Sequence, residues 1–518
     1  MTSTLPPGHA RTLTTAVQYH SEPAEVYQAL CQDRPHTLLL ESAEIDSKAG
    51  LKSVLLIDAA LSIRCMGRTV TVEALSANGD QLLPFVAEQL ALFNAQQQGR
   101  SIEVTLPQPA AGLDEDSRLK APSPLTVLRL LQQSLHSDDA LAETVMLAGC
   151  FAFDLVASVE PLPAVTEGAN ICPDYQFYLA QTSLVLDHQT RTARLIGTLF
   201  GGEQAERVEN DLRLRLGALS QRLTQPLQPL PEERPEATEV AENQSDAQFR
   251  QVVEDLKEHV RAGDIFQVVP ARRFSLPCPS PLAAYGRLRQ LNPSPYMFYM
   301  RTKAFTLFGA SPESALKYET TTNQVEIYPI AGTRPRGKFA DGHIDADLDS
   351  RIELGLRQDQ KELSEHLMLV DLARNDIARI AEPGSRKVAD LLKVDRYSHV
   401  MHLVSRVTGQ LRSDLDALHA YQACMNMGTL TGAPKVSAAS LLRQAEGERR
   451  GSYGGAVGYL NGRGDMDTCI VIRSALVAEG IAHVQAGAGV VYDSDPQSEA
   501  DETRNKAQAV LRAIGGKA

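Results

Sequence analysis

Residues Gly451–Asp493 read GSYGGAVGYLNGRGDMDTCIVIRSALVAEGIAHVQAGAGVVYD. The stretch holds successive apolar runs, AVGYL, DTCIVIRSALVA and IAHVQAGAGVVY, parted only by short Gly-containing turns. Runs joined so tightly fold as neighbouring antiparallel strands. Upstream, IFQVVPARRFSL, FTLFGASPESALKYE and QVEIYPIAGT continue the pattern. Before them, DAQFRQVVEDLKEHVRAG puts Val252, Val253, Leu256 and Val260 on one helical face, with Gly263 as a stop. Strands and helices thus come in clusters rather than in strict alternation, and the class is α+β: large antiparallel sheets flanked by helices.

Toward the N-terminus, HTLLLES, KSVLLID and IRCMGRTVTVEAL read as strands, and LPFVAEQLALFNAQQQ and LTVLRLLQQSL as helices. Gln221–Gln244 is rich in Pro, Glu and Gln and lacks apolar periodicity, which marks a linker. It divides an α+β half, residues 1–220, from a second half, residues 245–518.

Composition removes several function classes. A net charge of -13 is wrong for coating nucleic acid or anionic membrane. No apolar run approaches the ~18 residues of a spanning helix. MTSTLPPGHARTL lacks the apolar core of a secretory signal. The seven cysteines are scattered with no C-x-x-C pair, which suits a reducing cytosol and excludes thiolate zinc sites. A cytoplasmic protein is expected.

SEADETRNK, Ser498–Lys506, sits in a stretch that begins as a helix, with Asp495 as cap and Pro496 at the first position. Glu499, Glu502 and Lys506 share the face that Val510 and Ile514 continue. In ELSEHLMLVDLARND, Glu362 and Glu365 are again three apart, and apolar residues cover several sides, so this helix is expected to be buried nearly all round. The ordinary reading of such a pair is a solvated helix face. Two pairs turned toward apolar surface favour a hard cation instead. Mg²⁺ takes one or two carboxylates and completes its shell with water and substrate oxygens.

Other groups suit an anion. Arg473 lies in the middle of the apolar strand DTCIVIRSALVAEG, where a structural ion pair and a bound ligand fit equally. Gly487 and Gly489 allow close backbone approach. IYPIAGTRPRG reads as a strand running into a Gly/Pro turn with two arginines. Glu313, after an apolar strand in ASPES, is placed to act as an acid. His399 and His402 are either core residues or functional ones.

Together IFQVVPARRF, GASPES, PIAGTRPRG, ELSEHLMLVDLARND, MNMGTLTGAPKVSA, GSYGGAVGY, DTCIVIRSA, VQAGAGVVYDS and SEADETRNKA resemble, in order, the motifs of the chorismate-utilising enzymes. TLLLESA and KSVLLID extend the likeness over nearly the whole chain, toward the first component of the enterobacterial anthranilate-forming branch. The resemblance implies Mg²⁺ on Glu365 and Glu502, supported through water by Glu362 and Glu499. It implies a substrate held by Tyr453, Arg473 and the Gly487–Ala488–Gly489 backbone, with Gly332 and Thr333 lining the ring. Glu313, His402 and Thr333 would serve catalysis: ammonia adds at ring C2, the C4 hydroxyl leaves, and pyruvate is eliminated. A tryptophan feedback site is implied at Glu41, Ser42, Lys52, Pro295, Tyr296 and Met297, joining the two halves.

Two positions sort the branches of that family. Water-adding relatives carry a Lys where Gln267 stands, and the para-aminobenzoate branch a Lys where Ala331 stands. Both point to ammonia and to anthranilate, ahead of the para-aminobenzoate branch or a catalytically inert Mg²⁺-dependent regulator. Cys150 lacks a glutaminase setting, so the resemblance implies a separate glutamine amidotransferase subunit, two copies of each chain assembling. The absence of tryptophan from all 518 residues suits an enzyme made when that amino acid is scarce.

Overall fold

The structure, a computed structural model, describes residues 5–517 apart from 43–50, 111, 138, 140–143, 232–237, 340 and 398–399. Two antiparallel sheets lie back to back. In the first, the strands follow one another as Ala271–Pro277, Ile481–Gly487, Ser474–Ala478, Thr306–Ser311, Tyr296–Arg301 and Thr37–Glu41. The early residues of Lys52–Met66, the late residues of Tyr175–Asp187, then Thr192–Phe200 and Ala10–Val17 complete it. In the second, the late residues of Lys52–Met66 and the early residues of Tyr175–Asp187 lead to Met146–Phe151, Ala456–Asn461, Met466–Ile470, Ser314–Glu319, Gln324–Ile327 and Val400–Gln410.

The sheets are joined at both flanks by paired strands that pass from one to the other. On one flank, Lys52–Met66 and Tyr175–Asp187 cross together, with register shifts around Asp58. On the other, Thr306–Ser311 runs on into Ser314–Glu319 beside Met466–Ile470 running on into Ser474–Ala478. The space between the sheets is filled by Leu38, Leu56, Phe298 and Leu307 from one side and Ala148, Val457 and Cys469 from the other. Helices Pro23–Cys31, Ala205–Leu223, Pro281–Leu291 and Pro496–Ile514 cover the outside of the first sheet. Ala77–Gln89, Leu125–Ser134, Gln360–Ala378 and Ala417–Cys424 cover the second. The α+β reading therefore holds, as four layers.

Strands from before and after Gln221–Gln244 share both sheets. Thr37–Glu41 lies between Lys52–Met66 and Tyr296–Arg301, and Met146–Phe151 pairs with Ala456–Asn461. Within that proline-rich segment, Leu227 and Leu230 pack on the helical side of the first sheet.

Local readings fare unevenly. Asp246–Ala262 is a helix with a Ser245 capping box and Gly263 in the left-handed conformation. Leu83–Gln98 is not one helix: it ends at Gln89, and Gln96–Gln98 pairs with Ser101–Thr105 around a turn with Gly99 at φ 59°. The helix Gln360–Ala378 is not buried all round, because Leu367 is 46% exposed. All seven cysteines are buried and free. Among the described residues no helix is long and apolar enough to cross a membrane.

Phe298 is fully buried between the sheets, and its ring fills the space beside Gly309, where a Cβ would lie 2.5 Å from ring Cζ. Phe298→Ala should cost about 3–5 kcal/mol, the range for emptying an aromatic site. Urea unfolding measures the loss, and amide exchange should report lost protection at Leu38 and Leu307 together.

Candidate active site

The flank where Thr306–Ser311 and Ser474–Ala478 change sheets builds the centre of the site. A strand cannot enter a second sheet without breaking its pleat, and the breaks fall at Pro312–Glu313 and Val471–Arg473. The two crossings are hydrogen-bonded to each other: Ile470 N–H donates to Glu313 O at 3.0 Å, and Ala310 N–H to Arg473 O at 3.1 Å. Arg473 is therefore not in mid-strand, as its apolar surroundings suggest. It takes φ 49° at the crossing, a left-handed conformation uncommon for a long side chain. The tight turn sends its guanidinium toward Glu313, Tyr453 and Glu502.

Among the described residues, Arg473 makes no ion pair, and burial holds its guanidinium below the ordinary arginine range. Glu313 is also without a cation in contact. Burial pushes its carboxyl up to about 8, offset in part by the Thr429 hydroxyl, which donates to Glu313 Oε1 at 3.0 Å, and by the more distant charges of Arg473 and Lys506. Glu313 is thus a neutral acid at physiological pH. A proton donor and an uncompensated cation thus stand within electrostatic reach of each other.

Gly332, Thr333 and His402 lie on the adjoining wall. Ile330–Pro335 pairs with Val400–Gln410, and a register shift falls between Ala331 and Thr333 where Gly332 takes φ 79°. Sequence suggests a surface turn here, but the stretch remains a strand. Thr333 sits opposite His402, with Thr333 Oγ1 and His402 Nδ1 2.8 Å apart. Burial, then the charge of Arg473, lowers the imidazole to about 4 and keeps it neutral. His399 lies outside the described residues.

The acid pairs face each other from two helices. Glu362 and Glu365 project from Gln360–Ala378, Glu499 and Glu502 from Pro496–Ile514. Burial, then the charges of Glu362 and Glu502, raise Glu365. Burial and the charge of Glu502 raise Glu499. Mutual repulsion of converging carboxylates is the condition a bound cation relieves, so these residues fit a divalent ion with oxygen ligands. Among the described residues no three His, Cys, Asp or Glu side chains form a ready cage. Glu362 is braced by Arg334 Nη1 at 2.7 Å, and Glu502 contacts Lys506 Nζ at 2.5 Å. Lys506 also donates to Gly487 O at 3.0 Å.

The remaining wall is backbone. A Cβ on Gly487 would lie 3.1 Å from the Tyr453 hydroxyl, and one on Gly489 would lie 2.7 Å from Gln267 Nε2 and 3.6 Å from Glu365 Oε1. The N–H of Ala488 is already given to Pro270 O. Gln267 donates weakly to Glu365 Oε1 at 3.4 Å, and its own buried Oε1 has no partner.

A second cluster forms on the outer side of the first sheet. Met297 pairs with Glu41, Glu41 with Ser53, and Ser42 N–H donates to Lys52 O at 3.2 Å. The buried Glu41 carboxylate accepts from Tyr285 and from Arg289 Nε at 3.1 Å. Tyr296 turns to the other face, its hydroxyl donating to Asp467 at 3.2 Å. Sequence reasoning missed Tyr285 and Arg289, whose four-residue spacing on the helix Pro281–Leu291 is the signal that could have found them. It also missed Thr429, which no spacing rule marks.

The chorismate binding enzyme family matches residues 88–512. The chain belongs to that family. Over 504 residues it is 60% identical to the anthranilate synthase component 1 of Vibrio cholerae, spanning 97% of this chain and 96% of the relative. Over 503 residues it is 59% identical to that of Escherichia coli, spanning 97% and 96%. Among solved structures, anthranilate synthase component I of Streptococcus pneumoniae aligns with TM-score 0.68 at 28% identity, covering 90% of this chain and 94% of that one. The menaquinone-specific isochorismate synthase of Escherichia coli aligns at 0.66 and 17% identity, covering 99% and 96%, and shares the chorismate-binding fold.

The raised carboxyl has a measurable consequence. Unfolded, Glu313 loses its proton near 4.5; folded, near 8. The folded state keeps the extra proton between these values, so this group's stabilising contribution is full below 4.5 and is lost as pH rises through 8. His402 acts in the opposite sense: its contribution is full above 6.5 and is lost as pH falls through about 4. Glu313→Gln should therefore flatten the alkaline decline of the urea midpoint. A decline as steep in the variant as in the parent would show that Glu313 is not held neutral.

Proposed function

We propose that the chain is the large component of an anthranilate synthase, which converts chorismate and ammonia to anthranilate with release of pyruvate, the first step toward tryptophan. The observation that carries this reading is the unpaired guanidinium of Arg473 beside the neutral carboxyl of Glu313. An anionic substrate whose hydroxyl must leave needs both.

Arg473 and Tyr453 take the enolpyruvyl carboxylate, with the Gly487–Gly489 backbone close against it. Glu365 and Glu502 would hold Mg²⁺, with Glu362 and Glu499 supporting it through water, and the ion would supply positive charge for the ring carboxylate. Gly332 and Thr333 line the ring. Glu313 delivers a proton to the C4 hydroxyl as ammonia bonds to C2, so that water leaves. His402, neutral and oriented by Thr333, assists the elimination of pyruvate. Gln267 and Ala331 stand at the two positions where the sister branches carry a lysine, which supports ammonia as nucleophile over the para-aminobenzoate alternative.

Ammonia is supplied by a separate glutamine amidotransferase subunit, two copies of each chain assembling in the cytoplasm. In support, the relatives carry the name component 1. Burial also raises the thiols of Cys31, Cys65, Cys278 and Cys424, so none of these is a poised nucleophile. Tryptophan is the feedback inhibitor, bound at Glu41, Ser42, Lys52, Pro295, Tyr296 and Met297 on the seam between strands of the two halves.

The purified chain with chorismate, Mg²⁺ and ammonium should release fluorescent anthranilate, and none with glutamine alone. Arg473→Ala should lower kcat/KM about a hundredfold, the ~3 kcal/mol that a hydrogen bond to a charged group is worth at most. Chorismate consumption without anthranilate would assign a sister reaction. Ser42→Phe should retain ammonium-dependent activity while abolishing inhibition by tryptophan; unchanged inhibition would move the regulatory site elsewhere.

A further inference from the structure

Strands pass between the sheets at two flanks, and only one crossing belongs to the candidate active site. At the other, Lys52–Met66 and Tyr175–Asp187 cross with register shifts at Leu56/Asp58, Asp58/Ala59 and Ala59/Leu61. A strand that bulges also bends. A cavity of about 510 Å³ opens there, between this crossing, the helix Ala205–Leu223 and the start of the helix Ala77–Gln89. That volume suits a small metabolite. The cavity shares no lining residue with the acid pairs, with Arg473 or with the cluster at Glu41.

Its polar lining is rich in donors. Asp58 stands at the crossing between two guanidiniums: Arg215 Nε and Nη2 reach it at 3.0 and 3.1 Å, and Arg34 pairs with it as well. Burial alone would raise this carboxyl, but the bonds from Arg215 and both positive charges hold it below the ordinary carboxylate range. One carboxylate between two arginines leaves a positive charge over, and among the described residues Arg215 Nη1 has no partner. Gln181 Oε1 accepts from the Ser76 hydroxyl at 2.6 Å, while among the described residues its Nε2 donates to nothing. Ser76 caps the helix Ala77–Gln89, so the amides of Ala77 and Asn78 find no carbonyl within the helix. The one further acid on the lining, Asp211, is exposed at the rim. His36 also lines the cavity, in a left-handed conformation at φ 64°, with both ring nitrogens buried and without a partner. Turning that ring onto a ligand would break no hydrogen bond.

We infer that this cavity binds a small phosphate monoester, with the phosphate against Arg215 and the first turn of Ala77–Gln89 and the organic part against Ile57, Leu75, Val208 and Leu212. A guanidinium, a side-chain amide and backbone amides at a helix start are the donors that phosphate takes. Its three terminal oxygens and its second negative charge engage more of them than a carboxylate can. The apolar side chains give the organic part surface to bury, so an ester should bind better than the bare ion. The ligand acts from outside the site where chemistry is proposed, and the inference does not depend on that reaction.

The probe is phenyl phosphate, titrated into the full chain by calorimetry, with inorganic phosphate and benzoate for comparison. Phenyl phosphate should bind about tenfold more tightly than either. Arg215→Gln should weaken its binding about tenfold or more, the worth of one hydrogen bond to a charged group. That change also strips Asp58 of a partner, so Ala77→Asp is the second variant. An acid at the first position of a capped helix favours the helix while repelling the phosphate, so the fold is kept and binding should be lost. Arg473→Ala should leave the affinity within about twofold, which separates this cavity from the candidate active site. Binding that survives Ala77→Asp, or that Arg473→Ala abolishes, overturns the inference. So does a chain that takes up no phenyl phosphate at millimolar concentration, or one that binds benzoate as tightly.

Discussion

Two neighbouring strands leave one sheet for another at the same level, and the chemistry of the molecule depends on that crossing. Antiparallel sheets stacked face to face need side chains from both inner faces to fill the gap between them. Here Phe298, Leu307 and Leu476 meet Val457, Cys469 and Val471. A chain that contributes to both sheets must break its pleat at the passage. Glu313 and Arg473 occupy the two breaks, and backbone hydrogen bonds between the crossings fix their spacing. The pair is thereby held by sheet geometry rather than by a flexible loop. That rigidity explains how a carboxyl and a guanidinium can stand close without forming a contact ion pair. Each is held by backbone that cannot close the gap.

The charges around them form a graded field. Four glutamates converge from two helices, with Arg334 restraining Glu362 and Lys506 touching Glu502. Deeper in, Arg473 stands unpaired and Glu313 uncharged. Negative charge thus gathers on the two helices and positive charge at the buried crossing. His402 is kept neutral by the same burial that keeps Glu313 protonated, because desolvation disfavours whichever form carries charge. One environment therefore keeps both groups uncharged.

Much of this was legible in the sequence. The cap of Pro496–Ile514 followed from Asp495 and Pro496, and Glu499 lies on its buried face, whereas Glu502 stands at the edge, 45% exposed. The two halves were less legible. A proline-rich segment marks a change of composition, not a boundary in space, and only long-range pairing could show Thr37–Glu41 seated against Tyr296–Arg301. The break at Arg473 was hidden for a related reason: strands on both sides of it are equally apolar, so periodicity runs on while the backbone changes sheets. The braces of Glu41, Tyr285 and Arg289, escaped notice because they lie some 250 positions away and touch it only through tertiary packing.

The seam at Glu41 also bears on how a distant ligand could reach the acid pairs. Tyr285 and Arg289 bind the Glu41 carboxylate from the helix Pro281–Leu291. The same helix sends Arg287 Nε to the carbonyl of Ala513 at 2.6 Å, near the end of the helix that bears Glu499 and Glu502. A buried carboxylate, one short helix and one long helix therefore form a continuous hydrogen-bonded chain from the first cluster to the second. Coupling through it requires two discrete arrangements of those helices, since packed elements shift as units rather than stretch. Glu41 is the natural pivot. Its carboxyl is buried, and among the described residues Arg289 and Tyr285 hydrogen-bond to it, so the position of that helix and the state of this carboxylate are linked.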